Sequence, residues 1–238
     1  MRCRMRLQTI LFLLCSGLGL AQGTDTVLAD GLRLLEEGRT TLEEKALTDA
    51  KTYFTHLTRN SSNATYLYQL ARVNLYLADS YSARHDSQRA ERAVDEAIAA
   101  AQHSIRLDDK SADAHSLLAD LYGRKIEFGG FLAGPRLGPR IDAENKKALG
   151  LAPSDARVFA SLGRQYLHAP KLFGGNIGKA IENFLKATQL DPNSDENFVW
   201  LAIAYRKNGD ATNAASALQQ SLRLNPRSAF AKANATTR

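Results

Sequence analysis

Imidazoles, carboxylates and guanidinium groups are the side chains of this chain that could do chemistry, and their spacing decides which kind. The five histidines, His56, His85, His103, His115 and His168, are scattered. No two stand four residues apart on one helix turn, and no His-Glu-x-x-His segment occurs, so zinc chemistry has no ligand set. Asp113, His115 and Asp120 share one helical stretch, but 113 and 115 face apart. Glu36-Glu37, Glu43-Glu44 and Asp108-Asp109 are adjacent carboxylates on solvated faces rather than a converging acid–base pair. Gly178-Lys179 could end a phosphate loop, but the first glycine that loop needs is Phe173 and its hydroxyl residue is Ala180. Catalysis, a cofactor and a metal are therefore not expected. Recognition is what remains. Arg39, Arg72, Arg164 and Arg206, with Tyr68 and Asp120 among them, could hold an acidic segment, because guanidinium groups bind carboxylates bidentately. That requires elements that bring these widely spaced residues onto one surface.

A repeat supplies such elements. In residues 195–228, Phe198, Leu201, Ala202 and Tyr205 stand at positions 4, 7, 8 and 11, and Ala214, Leu218 and Pro226 at 20, 24 and 32. Small residues at 8 and 20 let two antiparallel helices approach closely while the flanking apolar side chains interlock. The pattern recurs upstream with Gly163 and Ala180, Ala119 and Ala148, Ala71 and Ala97, and Gly38 and Ala50, giving repeats at about 31–63, 64–111, 112–155, 156–194 and 195–228. It resembles the tetratricopeptide repeat, TPR. The resemblance implies an all-α, right-handed solenoid of about five helix-turn-helix units, whose concave groove is lined by first-helix positions 2, 5, 9, 12 and 13. Position 9 reads Arg39, Arg72, Asp120, Arg164 and Ile203, Tyr68 stands at position 5 of the second repeat, and Arg206 at position 12 of the last. The groove is expected to take a protein or peptide partner.

The middle repeats are longer than the pattern. From position 8 to position 32 there are 24 residues in the first and fifth repeats but 38, 34 and 29 in the second, third and fourth, and the excess falls between the two helices each time. Such insertions project from one edge of a solenoid as a rim. Residues 74–90 read as helix extensions, whereas 123–140 and 168–178 read as loops punctuated by Gly and Pro. Both loops contain Phe-Gly-Gly, at Phe128-Gly129-Gly130 and Phe173-Gly174-Gly175. These are either a ligand-contacting lip, since paired glycines permit left-handed backbone and close approach, or a phenylalanine plugging each hairpin above a glycine turn. The second loop, with Lys179-Ala180-Ile181 and Phe184 after it, also resembles a turn of two TPR groups: the periplasmic T-components of TRAP-type solute transporters and the eukaryotic regulators of microtubule dynamics. The first group implies an accessory solute-binding protein of a transport system, as the alternative to a non-enzymatic scaffold or adaptor.

Residues 1–21 read as a secretory signal: Arg2, Arg4 and Arg6 precede the apolar stretch 7–20, and Gly19-Leu20-Ala21 offers a cleavage site. The TPR domain is then 22–238, periplasmic or secreted, with no integral membrane span after cleavage. Both cysteines, Cys3 and Cys15, leave with the leader, which excludes disulfides and thiol catalysis from the mature chain. Losing the three leader arginines lowers the formal charge from +6 to +3, which does not argue for nucleic acid or an anionic membrane. The tail after Pro226 is short for a capping helix, so the last repeat is expected to expose an apolar face over 211–233 and to self-associate weakly through it, with Phe230 over Leu218 and Leu222.

Overall fold

Glycines at helix crossings set how tightly this chain packs. A Cβ on Gly163 would lie 2.7–2.9 Å from the ring of Phe184, and one on Gly38 would lie 2.6 Å from Leu47. Both partners are fully buried, so the helices carrying them close to a distance that no larger residue allows. The computed structural model describes residues 16–130 and 132–236. In it these contacts recur through an all-α solenoid with no strand among the described residues. Its helices are α1 (Ser16–Thr41), α2 (Glu44–Asn60), α3 (Ala64–Ala83), α4 (Ser87–Leu107), α5 (Ala112–Phe128), α6 (Ala133–Leu151), α7 (Ala156–His168), α8 (Ile177–Leu190), α9 (Asp195–Lys207), α10 (Ala211–Leu224) and α11 (Ala229–Thr236). Five successive pairs form hairpins, and α11 follows them.

The helix starts are written in the sequence. Asn63, Asp86, Ser111, Asp155, Asn176, Ser194 and Asp210 each accept a backbone N–H of the turn that follows, worth about 1 kcal/mol per cap. Neighbouring repeats are then locked in parallel register. Glu44 pairs with Arg89, Asp79 with Arg124, Asp113 with Arg157 and Asp120 with Arg164, all offset by 44 or 45 residues. This ladder places the ends of α5 and α7 on one edge of the stack.

Two expectations change. Residues 123–140 are not a loop: α5 runs on to Phe128 and α6 begins at Ala133 with Pro139 inside it. Burial of Ala133, Leu137 and Ile141 outweighs the poor helix propensity of Gly134, Gly138 and the prolines. Residues 169–176, within the expected 168–178, do form a loop, with a 3-10 turn at Lys171–Phe173. The apolar face of the last repeat is also not open. Helix α11 packs on α9 and α10 and touches α1, Ala231 is fully buried, and Phe230 joins the core around Leu218 and Leu222 with its ring 5.2 Å from that of Trp200. No large apolar side chain of 211–233 is exposed among the described residues. The leader falls mostly on residues 1–15, outside the described residues; α1 runs without a break from Ser16 across position 21.

Candidate functional site

The first helices of the hairpins, α1, α3, α5, α7 and α9, turn Arg39, Arg72 and Arg164 toward a shared interior. Arg164 holds Asp120 through two bonds, 3.0 and 2.5 Å, and its guanidinium lies 5.5 Å over the ring of Trp200. Arg39 pairs with Glu36 at 2.6 Å and with Asp195 at 3.0 Å. Arg72 is arranged differently: it donates to Gln69 Oε1 at 2.9 Å and sits 5.9 Å over the ring of Tyr68. Among the described residues no carboxylate lies within ion-pair distance of it.

A carboxylate from the far end of the chain enters this cluster. Glu196, in the first turn of α9, accepts from the Tyr76 hydroxyl at 3.1 Å and lies 4.0 Å from Arg39. It also acts electrostatically on Arg72 and Arg164. Burial pushes the Tyr76 phenol well up, and Glu196 adds to the effect, so Tyr76 stays a neutral donor. Burial likewise pushes the Tyr68 phenol up. The interior is thus a narrow basic and aromatic surface that already accommodates one acidic side chain.

The same contacts join the two ends of the solenoid. Asn225 donates to Thr40 Oγ1 at 3.3 Å and to Asp195 Oδ2 at 3.0 Å, and Arg227 pairs with Glu37. Beside this seam lies an open cleft of about 570 Å³ lined by Arg33, Glu36, Arg39, Asp195, Asn225 and Arg227, among others.

Of the six groove residues expected from sequence, Arg39, Tyr68, Arg72, Asp120 and Arg164 face this interior. Arg206 does not: it donates to the Asn234 carbonyl at 2.7 Å and pins α11, because position 12 of the last repeat meets the capping helix instead of a further repeat. Sequence reasoning missed Tyr76, Asp195, Glu196 and Trp200. The two acids stand in the first turn of a helix, where they look like ordinary dipole partners. Trp200 is the only tryptophan of the chain, and that singularity was the available signal.

The two Phe-Gly-Gly segments are not equivalent. Phe128 packs against the core of the first two repeats, and a Cβ on Gly129 would meet Ala133 at 2.5 Å. Phe128, Gly129 and Gly130 therefore form a plug and turn. Phe173 is 58 % exposed; Gly174 has φ 89°, and a Cβ on Gly175 would overlap the Ala169 carbonyl at 1.8 Å. That turn presents its side chains outward. His115 is structural as well: its ring nitrogens face Glu144 at 2.5 Å and the Asp109 carbonyl at 3.1 Å, so both are taken up by neighbouring oxygens. No metal-ligand cluster occurs among the described residues.

Stacked hairpins with small residues at their crossings and a concave face built from first helices define a tetratricopeptide-repeat protein, and the TPR profile matches residues 196–228. The chain belongs to the regulator of microtubule dynamics protein 1-3 family, whose profile matches residues 32–172, more than half of its length. Regulator of microtubule dynamics protein 3 of Xenopus laevis is 26 % identical over 166 residues, covering 63 % of this chain and 35 % of that protein. The chain thus spans about a third of the length of the curated relative it matches. Among solved structures, TTC0263, a thermophilic TPR protein of Thermus thermophilus, superposes with a TM-score of 0.68 at 20 % identity, covering 89 % of this chain and 97 % of that one. YrrB, described as a TPR protein with an unusual peptide-binding site, aligns with a TM-score of 0.43 at 15 % identity over 93 % and 99 % of the two chains. Of the two groups that the turn around Phe173 resembles, the family match falls on the regulators of microtubule dynamics.

Proposed function

We propose that this chain is an exported, non-enzymatic scaffold that holds an acidic segment of a protein partner in its concave face. The observation that carries the reading is Arg72, a guanidinium between Tyr68 and Tyr76 that bonds Gln69 and has no carboxylate within ion-pair distance among the described residues, facing a space that already admits the Glu196 carboxylate. A partner carboxylate would take two parallel bonds from Arg72, and Arg39 and Arg164 would add a positive field. The cleft beside it is open along the seam between α1 and α9, which suits an extended segment better than an enclosed small solute. Export rests on Arg2, Arg4, Arg6 and the apolar stretch 7–20; N-terminal sequencing of the mature chain should begin at Gln22, and an unprocessed chain retained in the cytoplasm would contradict it.

The binding test uses single changes at Arg72 and Glu196. Arg164 is a poor probe, since removing it strands Asp120 and uncovers Trp200. Arg72→Gln should lower affinity for partners recovered by pull-down about tenfold or more, by the loss of a charge-assisted bidentate contact, with helicity unchanged. Glu196→Gln should raise affinity, because it removes the carboxylate that competes for the same site. Equal recovery by both variants would refute the reading.

A further inference from the structure

The three most exposed large apolar side chains among the described residues are Leu172 at 86 %, Leu132 at 71 % and Phe173 at 58 %. All three lie in the connections inside the third and fourth hairpins. The parallel register of α5 and α7, 44 or 45 residues, puts the C-terminal ends of both helices, and so the two connections that leave them, on one edge. The second is built rather than loose. Phe173 N–H donates to the Pro170 carbonyl at 2.9 Å, Gly175 N–H to the same carbonyl at 3.0 Å, and Asn176 N–H to the Tyr166 carbonyl at 3.0 Å. Leu172 and Phe173 are thereby held out at the tip of a fixed turn.

Within the two connections and the first turns that follow them the charge has one sign; the next acid, Asp142, accepts from Gln165. Residues 129–140 and 168–179 contain no Asp or Glu, but carry Arg136, Arg140, Lys171 and Lys179. All four are exposed and none takes part in an ion pair among the described residues; Arg140 and Lys179 rest over the rings of Tyr122 and Tyr166. The nearest preceding acid, Glu127, is bound by Arg124. The corresponding turns of the other three hairpins each carry a carboxylate, Glu43, Asp86 and Asp210. The edge is therefore basic locally, although the chain as a whole has only a small excess of positive charge.

We infer that this edge docks on an anionic phospholipid surface, with Leu172, Phe173 and Leu132 entering the headgroup layer and Arg136, Arg140, Lys171 and Lys179 meeting lipid phosphates. Apolar tips that protrude among unpaired cations fit a deformable interface, which takes up buried apolar area and positive charge together. A folded protein partner would instead need a cavity shaped for each tip. The docking would be peripheral, and no described helix is long and apolar enough to cross a membrane.

The experiment reads the edge locally, so that residues 1–21 do not confuse it. In the full chain, Leu172→Trp is combined with Trp200→Phe, and quenching by acyl-brominated lipids is followed in phosphatidylcholine vesicles with and without phosphatidylglycerol. Quenching should appear with phosphatidylglycerol, fall with added salt and stay low in phosphatidylcholine alone. Adding Lys171→Glu and Lys179→Glu should weaken partitioning by roughly 30-fold or more, at about a factor of five per lost cation and further for the reversal. If Trp200→Phe disturbs folding, the same quenching is read from a bimane label at Leu172→Cys in a chain whose Cys3 and Cys15 are replaced by serine. Absence of quenching at every anionic fraction would overturn the proposal, as would quenching that the two charge reversals leave unchanged. So would loss of quenching on addition of a soluble acidic protein that binds the edge more tightly than vesicles, which would make it a protein-docking surface.

Discussion

Gly163 and Asp155 show how much one residue can decide here. A side chain at 163 has nowhere to go: the ring of Phe184 is fully buried and lies within 2.9 Å of where a Cβ would be. Gly163→Leu should destabilise the chain by roughly 1–3 kcal/mol through overpacking, read as a lower melting temperature; an unchanged melting curve would mean that α7 and α8 do not cross at this point. Asp155 caps α7, accepting from Arg157 N–H at 2.8 Å and from the Arg157 guanidinium. Burial alone would raise its carboxyl, but the side-chain and backbone bonds from Arg157 outweigh burial and hold it below the usual carboxylate range. A folded-state value below the unfolded one stabilises above the unfolded pKa, and that contribution is lost as pH falls through the folded value. Asp155→Ala should therefore cost about 1–2 kcal/mol at neutral pH, and the difference from the parent chain should shrink below about pH 4. Urea titrations at both pH values test this, and a pH-independent difference would leave only a neutral capping role.

Element by element, the hairpins follow from short-range information, and the exceptions show where that information ends. Cap residues and small residues at fixed spacing sit within one or two turns of the contacts they govern, which is why the pairs from α2 to α10 are legible. Residues 123–140 are not, because the glycines and prolines of the stretch Gly-x-x-x-x-x-Gly-Gly-x-x-x-Gly-Pro-x-x-Gly-Pro outweigh, on propensity, a burial that only the neighbouring repeat supplies. Pro139 is the sharpest case, since it lies past the first turn of α6, removes one ladder bond and crowds the preceding turn. Pro139→Ala should therefore stabilise by roughly 1–3 kcal/mol with no loss of helicity. A loss of stability would show that the chain at 139 is not helical in solution. Helix α11 is legible as a short two-turn helix with Phe230 over Leu218 and Leu222, but not as a cap: its end, Asn234-Ala235-Thr236, is a weak helix former that persists because Arg206, Phe230 and Ala231 dock it.

At the scale of the whole molecule, the governing fact is that the solenoid meets itself. Arg39 on α1 and Asp195 on α9 are 156 residues apart in sequence, and Glu37 and Arg227 are 190 apart. No local pattern can encode such a pairing; it depends on the summed rotation of every repeat between the two ends. The joint is also where the concave face is covered, because the same α9 turn carries Asp195 to Arg39 and Glu196 to Tyr76. The side chains of Arg39 and Asp195 are only 13 % and 8 % exposed, so removing one partner leaves a desolvated charge behind. Asp195→Ala with Glu196→Ala should cost about 3 kcal/mol or more on that account, while α9 itself persists on its Ser194 cap. The double variant should show a larger radius of gyration by small-angle scattering and faster amide exchange in α1 and α11, with far-ultraviolet dichroism unchanged. Both ends would then move apart and uncover Arg72, so the opened variant should bind an acidic partner faster than the parent chain. An unchanged radius together with unchanged exchange would mean that the stacking of the repeats alone fixes the closed form, and that these polar contacts follow from closure rather than hold it.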